Sequence, residues 1–91
     1  LKQLPEWKRS HDSLVRTQTF PTYKNALDFV YQLGLAADAQ DHHPDIELGY
    51  KKVTVRYSTH SAGGITGLDF QMAHVAEDLF NRLARPGTLN D

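Results

Sequence analysis

The sequence predicts a two-layer α+β sandwich: a four-stranded antiparallel sheet packed by helices on one face, in the order β-β-α-β-β-α. Three observations lead there. Two stretches carry apolar residues at helical spacing, from Tyr23 and from Leu68. Two pairs of short stretches alternate, or nearly alternate, apolar and polar residues, each pair split by turn chemistry. Each helix has one apolar face and needs an apolar surface to cover it, which an antiparallel sheet offers. At 91 residues, the chain is expected to form a single domain, residues 1–91, with one modest core.

Trp7 to His11 and Leu14 to Phe20 read as the first two strands, with Asp12-Ser13 as the turn between them. In the second strand Val15, Thr17 and Thr19 favour extended backbone. Leu14 and Phe20 share the other face with Arg16 and Gln18, so the alternation there is imperfect. Thr22, after Pro21, is a good N-cap. Tyr23, Ala26, Leu27, Val30, Leu33 and Ala37 then form a helical stripe that runs out near Gln40. Pro44 pushes His43 out of helical geometry.

Ile46, Leu48 and Tyr50 alternate with Asp45, Glu47 and Gly49; Val53, Val55 and Tyr57 alternate with Lys52, Thr54 and Arg56. A tight turn over 49–52 pairs them as a hairpin. His60 falls just past the end of the last strand. The stretch SAGGITG is a flexible connection that opens a helix but lacks the Gly-Lys-Ser/Thr ending of a phosphate-binding loop. Thr66 caps that helix, with Asp69 at the reciprocal capping-box position. Leu68, Met72, Val75, Ala76, Leu79 and Leu83 give its buried stripe, and Arg85, Pro86 and Gly87 end it. Tyr57 and Met72 read as core. Leu83 and Phe80 face either the core or a partner subunit.

The bulk composition excludes several functions. No cysteine is present, which removes disulfides, thiol catalysis and cysteine-zinc modules together. A net charge of −1 carries no general nucleic-acid footprint. No apolar run approaches membrane-spanning length and no secretory signal is visible, so a cytoplasmic location is expected. The charge is uneven: residues 1–36 hold five Lys/Arg against three Asp/Glu, and residues 37–91 hold five against eight.

The informative stretch is DHHPDIELGY, from Asp41 to Tyr50. Its two adjacent histidines have three readings. As metal ligands with His60 and a carboxylate they have unfavourable spacing, because neighbouring side chains diverge on helix or strand. As a polar helix end, His42 suits the helix dipole, but neither the doubling nor His60 is explained. As acid–base groups, all three are suited to proton transfer near neutrality and sit at element junctions, where side chains commonly line sites. His11, in a turn, and His74, on the helix face with Phe70, Glu77 and Asn81, read as solvated.

Asp38, His42-His43-Pro44, Tyr50, His60 and Asp69 together form a spaced motif that resembles the pterin-4a-carbinolamine dehydratase family, one member of which is a dimerisation cofactor of a homeodomain transcription factor. The resemblance runs upstream through Trp7, Leu14, Arg16, Phe20 and the ALDFV helix. It implies the β-β-α-β-β-α sandwich and a further N-terminal helix, of which this chain holds little. It implies loss of water from 4a-hydroxytetrahydropterin to give quinonoid dihydropterin, recycling tetrahydrobiopterin, with no metal or cofactor. It also implies a homodimer or homotetramer.

By position, His42, His43 and His60 become the catalytic histidines, with His42 and His60 transferring protons and His43 placing the pterin. Asp41, His42 and His43 line one side of the substrate; Ser58, Thr59, His60 and Ser61 line the other. Asp38 and Asp69 support them, Asp38 by orienting the His42 ring one helical turn away. Gln18 stands where many members carry an aromatic residue. The alternative is a non-catalytic binding protein of the same fold, a transcriptional coactivator (and then nuclear) or an assembly factor, with a protein partner. A metal-dependent hydrolase ranks last.

Overall fold

The computed structural model describes residues 3–59 and 63–84. Its elements run β1 (Lys8–Ser10), β2 (Ser13–Thr19), α1 (Tyr23–Ala39), β3 (Asp45–Leu48), β4 (Lys52–Tyr57) and α2 (Gly67–Leu83). The strands form one antiparallel sheet in the order β1-β2-β4-β3. The expected α+β class and element order are therefore found.

Strand alternation decides which side chains meet the helices. Leu14, Arg16 and Gln18 of β2 stand opposite Tyr57, Val55 and Val53 of β4. Val53, Val55 and Tyr57 are buried at every second position, as expected. The core they enter holds Trp7, Leu14, Phe20, Phe29, Leu33, Met72 and Phe80, among others. Phe29 and Phe80 stack at 4.1 Å between ring centroids, joining α1 to α2. Fully burying each such side chain contributes about 1.5–3 kcal/mol.

The caps fall where the sequence places them. The Thr22 side chain accepts the Asn25 backbone N–H at 3.0 Å. Asn25, itself buried, donates from Nδ2 to the Leu83 carbonyl at 3.1 Å. That bond fastens the start of α1 to the end of α2.

Several expectations are corrected. The first hairpin turns at His11-Asp12, because Ser10 pairs with Ser13; His11 takes a φ of 56° there. Trp7 precedes β1 and belongs to the core. Tyr23 and Leu27 are exposed, whereas Phe29 is buried. Tyr50 lies past the end of β3 and is exposed, with its ring 6.0 Å from that of Tyr23. Of the two residues left open between core and partner, Phe80 is a core residue and Leu83 packs partly buried against the core.

The imperfect alternation of β2 has a physical resolution. Arg16 is buried, bonded to Glu77 of α2 and to Gln18, with its guanidinium 4.3 Å over the Phe80 ring. Trp7 Nε1 donates to the same Glu77 carboxylate at 2.9 Å. A buried charge needs such pairing, and Glu77, read from the sequence as part of the polar face, supplies it.

Candidate functional site

The end of α1 builds the site. Gln40 is the C-cap, and Asp41 follows in the left-handed region with a φ of 51°. The Asp41 N–H donates to the Asp38 carbonyl at 3.1 Å and the His42 N–H to the Ala37 carbonyl at 3.0 Å. This pair of backward bonds is the Schellman motif, in which the residue two past the cap is tied to the last full turn. His42 is that residue. Its backbone is therefore fixed by the helix end, and Pro44 follows where the helix cannot continue.

The His42 side chain meets Asp69, 27 residues further on. Nε2 lies 2.5 Å from Asp69 Oδ1, and the two side chains are 11% and 0% exposed. Asp69 occupies the first turn of α2, where a carboxylate interacts favourably with the helix dipole. Its other oxygen accepts the Thr66 backbone N–H at 2.9 Å and the Thr59 hydroxyl at 2.7 Å. Thr59 spends its single proton on Asp69, so in the 2.9 Å contact between the two hydroxyls Thr66 donates to Thr59.

Burial pushes the Asp69 carboxyl toward protonation, but the bonds from His42, Thr66 and Thr59 and the nearby histidine charge outweigh it, holding it below its ordinary value. An ionised Asp69 only accepts, so His42 donates through Nε2–H. In the neutral ring that fixes the tautomer, and among the described residues Nδ1 makes no hydrogen bond. Beneath the imidazole lies Tyr57, ring to ring at 5.5 Å and 16°.

The second histidine is placed differently. His43 Nε2 lies 3.0 Å from Asp38 Oδ1, with the side chains 56% and 81% exposed. Asp38 therefore serves His43, and the expectation that it orients His42 is corrected. One turn of helix brings Asp38 near the pair, but the Schellman turn rotates His42 toward α2. Asp41 is exposed; Ser58 and Thr59 are half-buried just past β4. Thr59 pairs with Gly64 in an isolated bridge. His60 and Ser61 lie outside the described residues.

Among the described residues no group of three or more His, Asp or Glu is arranged to hold a metal ion. A separate concavity of about 500 Å³ lies beside Lys8, Ser10, Thr17 and Arg56 and shares no residue with this site.

Sequence reasoning missed the His42–Asp69 contact and the Tyr57 stack. Tyr57's inward parity placed it among the core residues beneath the site. Nothing in the spacing signalled a contact across 27 residues.

The model of one family, pterin 4 alpha carbinolamine dehydratase, matches residues 1–79. The chain belongs to the pterin-4a-carbinolamine dehydratase family. A relative from Picosynechococcus sp., provisionally named a pterin-4-alpha-carbinolamine dehydratase, is 46% identical over 87% of this chain and 86% of its own. One from Nocardia farcinica, named likewise, is 40% identical over 87% and 83%.

Among solved structures, a transcriptional coactivator/pterin dehydratase from Brucella melitensis aligns with a TM-score of 0.82 at 31% identity, over 86% of this chain and 85% of that one. A pterin dehydratase-like RuBisCO assembly factor of the alpha-carboxysome shares the fold alone, with a TM-score of 0.66 at 18% identity over 80% and 84%. The spaced histidines and acids that suggested the family are thus accompanied by similarity over most of the chain.

Proposed function

We propose that this chain is a 4a-hydroxytetrahydrobiopterin dehydratase, a hydro-lyase that removes water from pterin-4a-carbinolamine by acid–base catalysis with no metal. The observation that carries this reading is the His42–Asp69 pair: a sheltered imidazole with one nitrogen fixed and the other without a partner among the described residues. In the reaction an acid protonates the C4a hydroxyl, which leaves as water as the N5 lone pair forms the C4a=N5 bond. A base takes the N5 proton. General acid–base help of this kind is typically worth about 10²–10⁴-fold.

His42, through Nδ1, and His60 share the two proton transfers. His43 and Asp41 hold the pterin on one side, Ser58, Thr59 and Ser61 on the other. Asp69 positions His42, and Asp38 positions His43. The product, quinonoid dihydropterin, is the form that a reductase returns to tetrahydrobiopterin.

The test is a dehydration assay. 4a-Hydroxytetrahydropterin is generated and quinonoid dihydropterin followed by absorbance with the native chain, with EDTA, and with His42→Ala and His60→Ala. Acceleration that survives EDTA and collapses in both variants is expected. No acceleration over the spontaneous reaction, from folded protein, contradicts the reading.

One observation favours a second role alongside this one. Tyr23, Leu27, Tyr31 and Leu35 are all exposed on α1, with Tyr50 beside Tyr23. Their four-residue steps put them on one helix face, and an exposed apolar stripe marks an interaction surface. It suits a homodimer or homotetramer, or a protein partner of the kind that the names of the two structural relatives describe. Sedimentation of the native chain and of Tyr31→Glu tests it: an oligomer that the substitution weakens is expected.

A further inference from the structure

We propose that Tyr57 is a positioning residue of this site: its ring, stacked flat on the His42 imidazole from the sheet side, holds Nε2 against Asp69 and keeps Nδ1 free. The inference rests on the dehydratase reading for its naming of His42 as a working group.

The argument starts from what the other contacts leave undone. The Schellman turn fixes the His42 backbone, and Asp69 fixes Nε2. Neither fixes the plane of the ring. The torsion that sets that plane is broad in histidine, so a single hydrogen bond leaves the imidazole able to swing about it. A ring stacked nearly parallel removes that freedom, and Tyr57 lies at 16° to the imidazole with 5.5 Å between centroids.

Tyr57 is itself rigid. It is fully buried on β4 opposite Leu14, and its place in the strand sets the height of its ring. Its hydroxyl is buried with no hydrogen-bond partner among the described residues, so the phenol contributes no bond of its own. What the side chain supplies to the site is a flat face. Burial and the Asp69 charge both push the phenol pKa up; the group therefore stays neutral beside the ionised carboxylate and does not compete for the His42 proton.

The experiment compares the native chain with Tyr57→Phe, which keeps the face, and Tyr57→Leu, which fills the site without one. Tyr57→Met serves as a second faceless variant, and whichever of the two folds is read. The first readout is the proton on His42 Nε2, observed by NMR with nitrogen-15 labelling. It is expected to persist in the native chain and in Tyr57→Phe, and to exchange with water at least about tenfold faster in the faceless variant, as a loosened local contact does. The second is dehydration: kcat falls roughly threefold to tenfold with KM little changed, a loss confined to orientation, and Tyr57→Phe restores it.

A faceless variant that keeps the native exchange rate of this proton overturns the proposal, as does a Tyr57→Phe variant that loses the proton as fully as the faceless one. A native chain that does not accelerate dehydration overturns the dehydratase reading instead; the exchange comparison then still decides whether Tyr57 positions His42.

Discussion

His42 and His43 are adjacent in sequence, each is paired with an aspartate, and the two pairs could hardly differ more. The His42–Asp69 pair joins the end of α1 to the start of α2, is sheltered, and is backed by Thr59, Thr66 and Tyr57. The His43–Asp38 pair is local, five residues apart, and open to water on both sides. The same two residue types make a structural joint in one place and a solvated contact in the other. Exposed ion pairs are worth little because water screens them and side-chain entropy opposes them. A buried carboxylate with three donors is costly to disturb, because removing it leaves each donor unsatisfied.

The largest expected break in this contrast is in rate. His42→Ala should slow dehydration by about 10²–10⁴-fold, whereas His43→Ala should act mainly on KM, with kcat changed little, if it holds the pterin rather than moving a proton. Steady-state kinetics of the two variants check this. Equal losses in kcat would erase the distinction between the histidines.

Stability gives the next largest difference. Asp69→Ala removes the reciprocal half of the capping box and strands the Thr66 N–H, the Thr59 hydroxyl and His42 Nε2; a loss of roughly 2–4 kcal/mol is expected in urea unfolding. Asp38→Ala, at an exposed pair, should leave the unfolding midpoint unchanged within error.

The two aspartates should also differ in acid. Asp69 has a folded-state pKa held below its ordinary 3.8. The stability it contributes is present in full above that ordinary value and is lost as the pH falls through the lower folded-state value. Unfolding measured at descending pH should therefore steepen below about pH 4 in the native chain, and less so in Asp69→Asn. The opposite order would mean that the carboxyl is not held ionised.

The smallest effect concerns the turn between the pairs. Asp41 stands in the left-handed region at the helix end, the position glycine usually fills. Asp41→Gly should relieve about 1 kcal/mol of backbone cost, seen as a higher melting temperature. If Asp41 also holds the pterin, the same variant raises KM, and the two readouts separate the roles.

What the sequence made legible follows from the range of the physics involved. Thr22, Thr66 and the β4 alternation are local signals, and each element they mark stands where it was expected. The α1 stripe holds at Ala26, Val30, Leu33 and Ala37 but not at Tyr23 and Leu27, because the helix is apolar on two sides. Tyr23, Leu27, Tyr31 and Leu35 step along one, and Ala26, Phe29, Leu33 and Ala37 fill the other. Periodicity cannot say which faces the sheet. The site was legible in its residue types through the family resemblance, but not in its pairing. Asp38, one turn away from His42, was the natural local partner. Only the turn geometry at Asp41, which swings His42 toward α2, makes Asp69 its partner instead.

The central claim is that His42 and Asp69 act as one unit. A double-mutant cycle in the dehydration assay, with His42→Ala, Asp69→Asn and both together, tests it most directly. Residues that act as a unit are not additive. The double variant should be no slower than His42→Ala alone. Losses that multiply, with the double variant slower by the product of the two single effects, would contradict the account and leave Asp69 as a helix cap with no part in the chemistry.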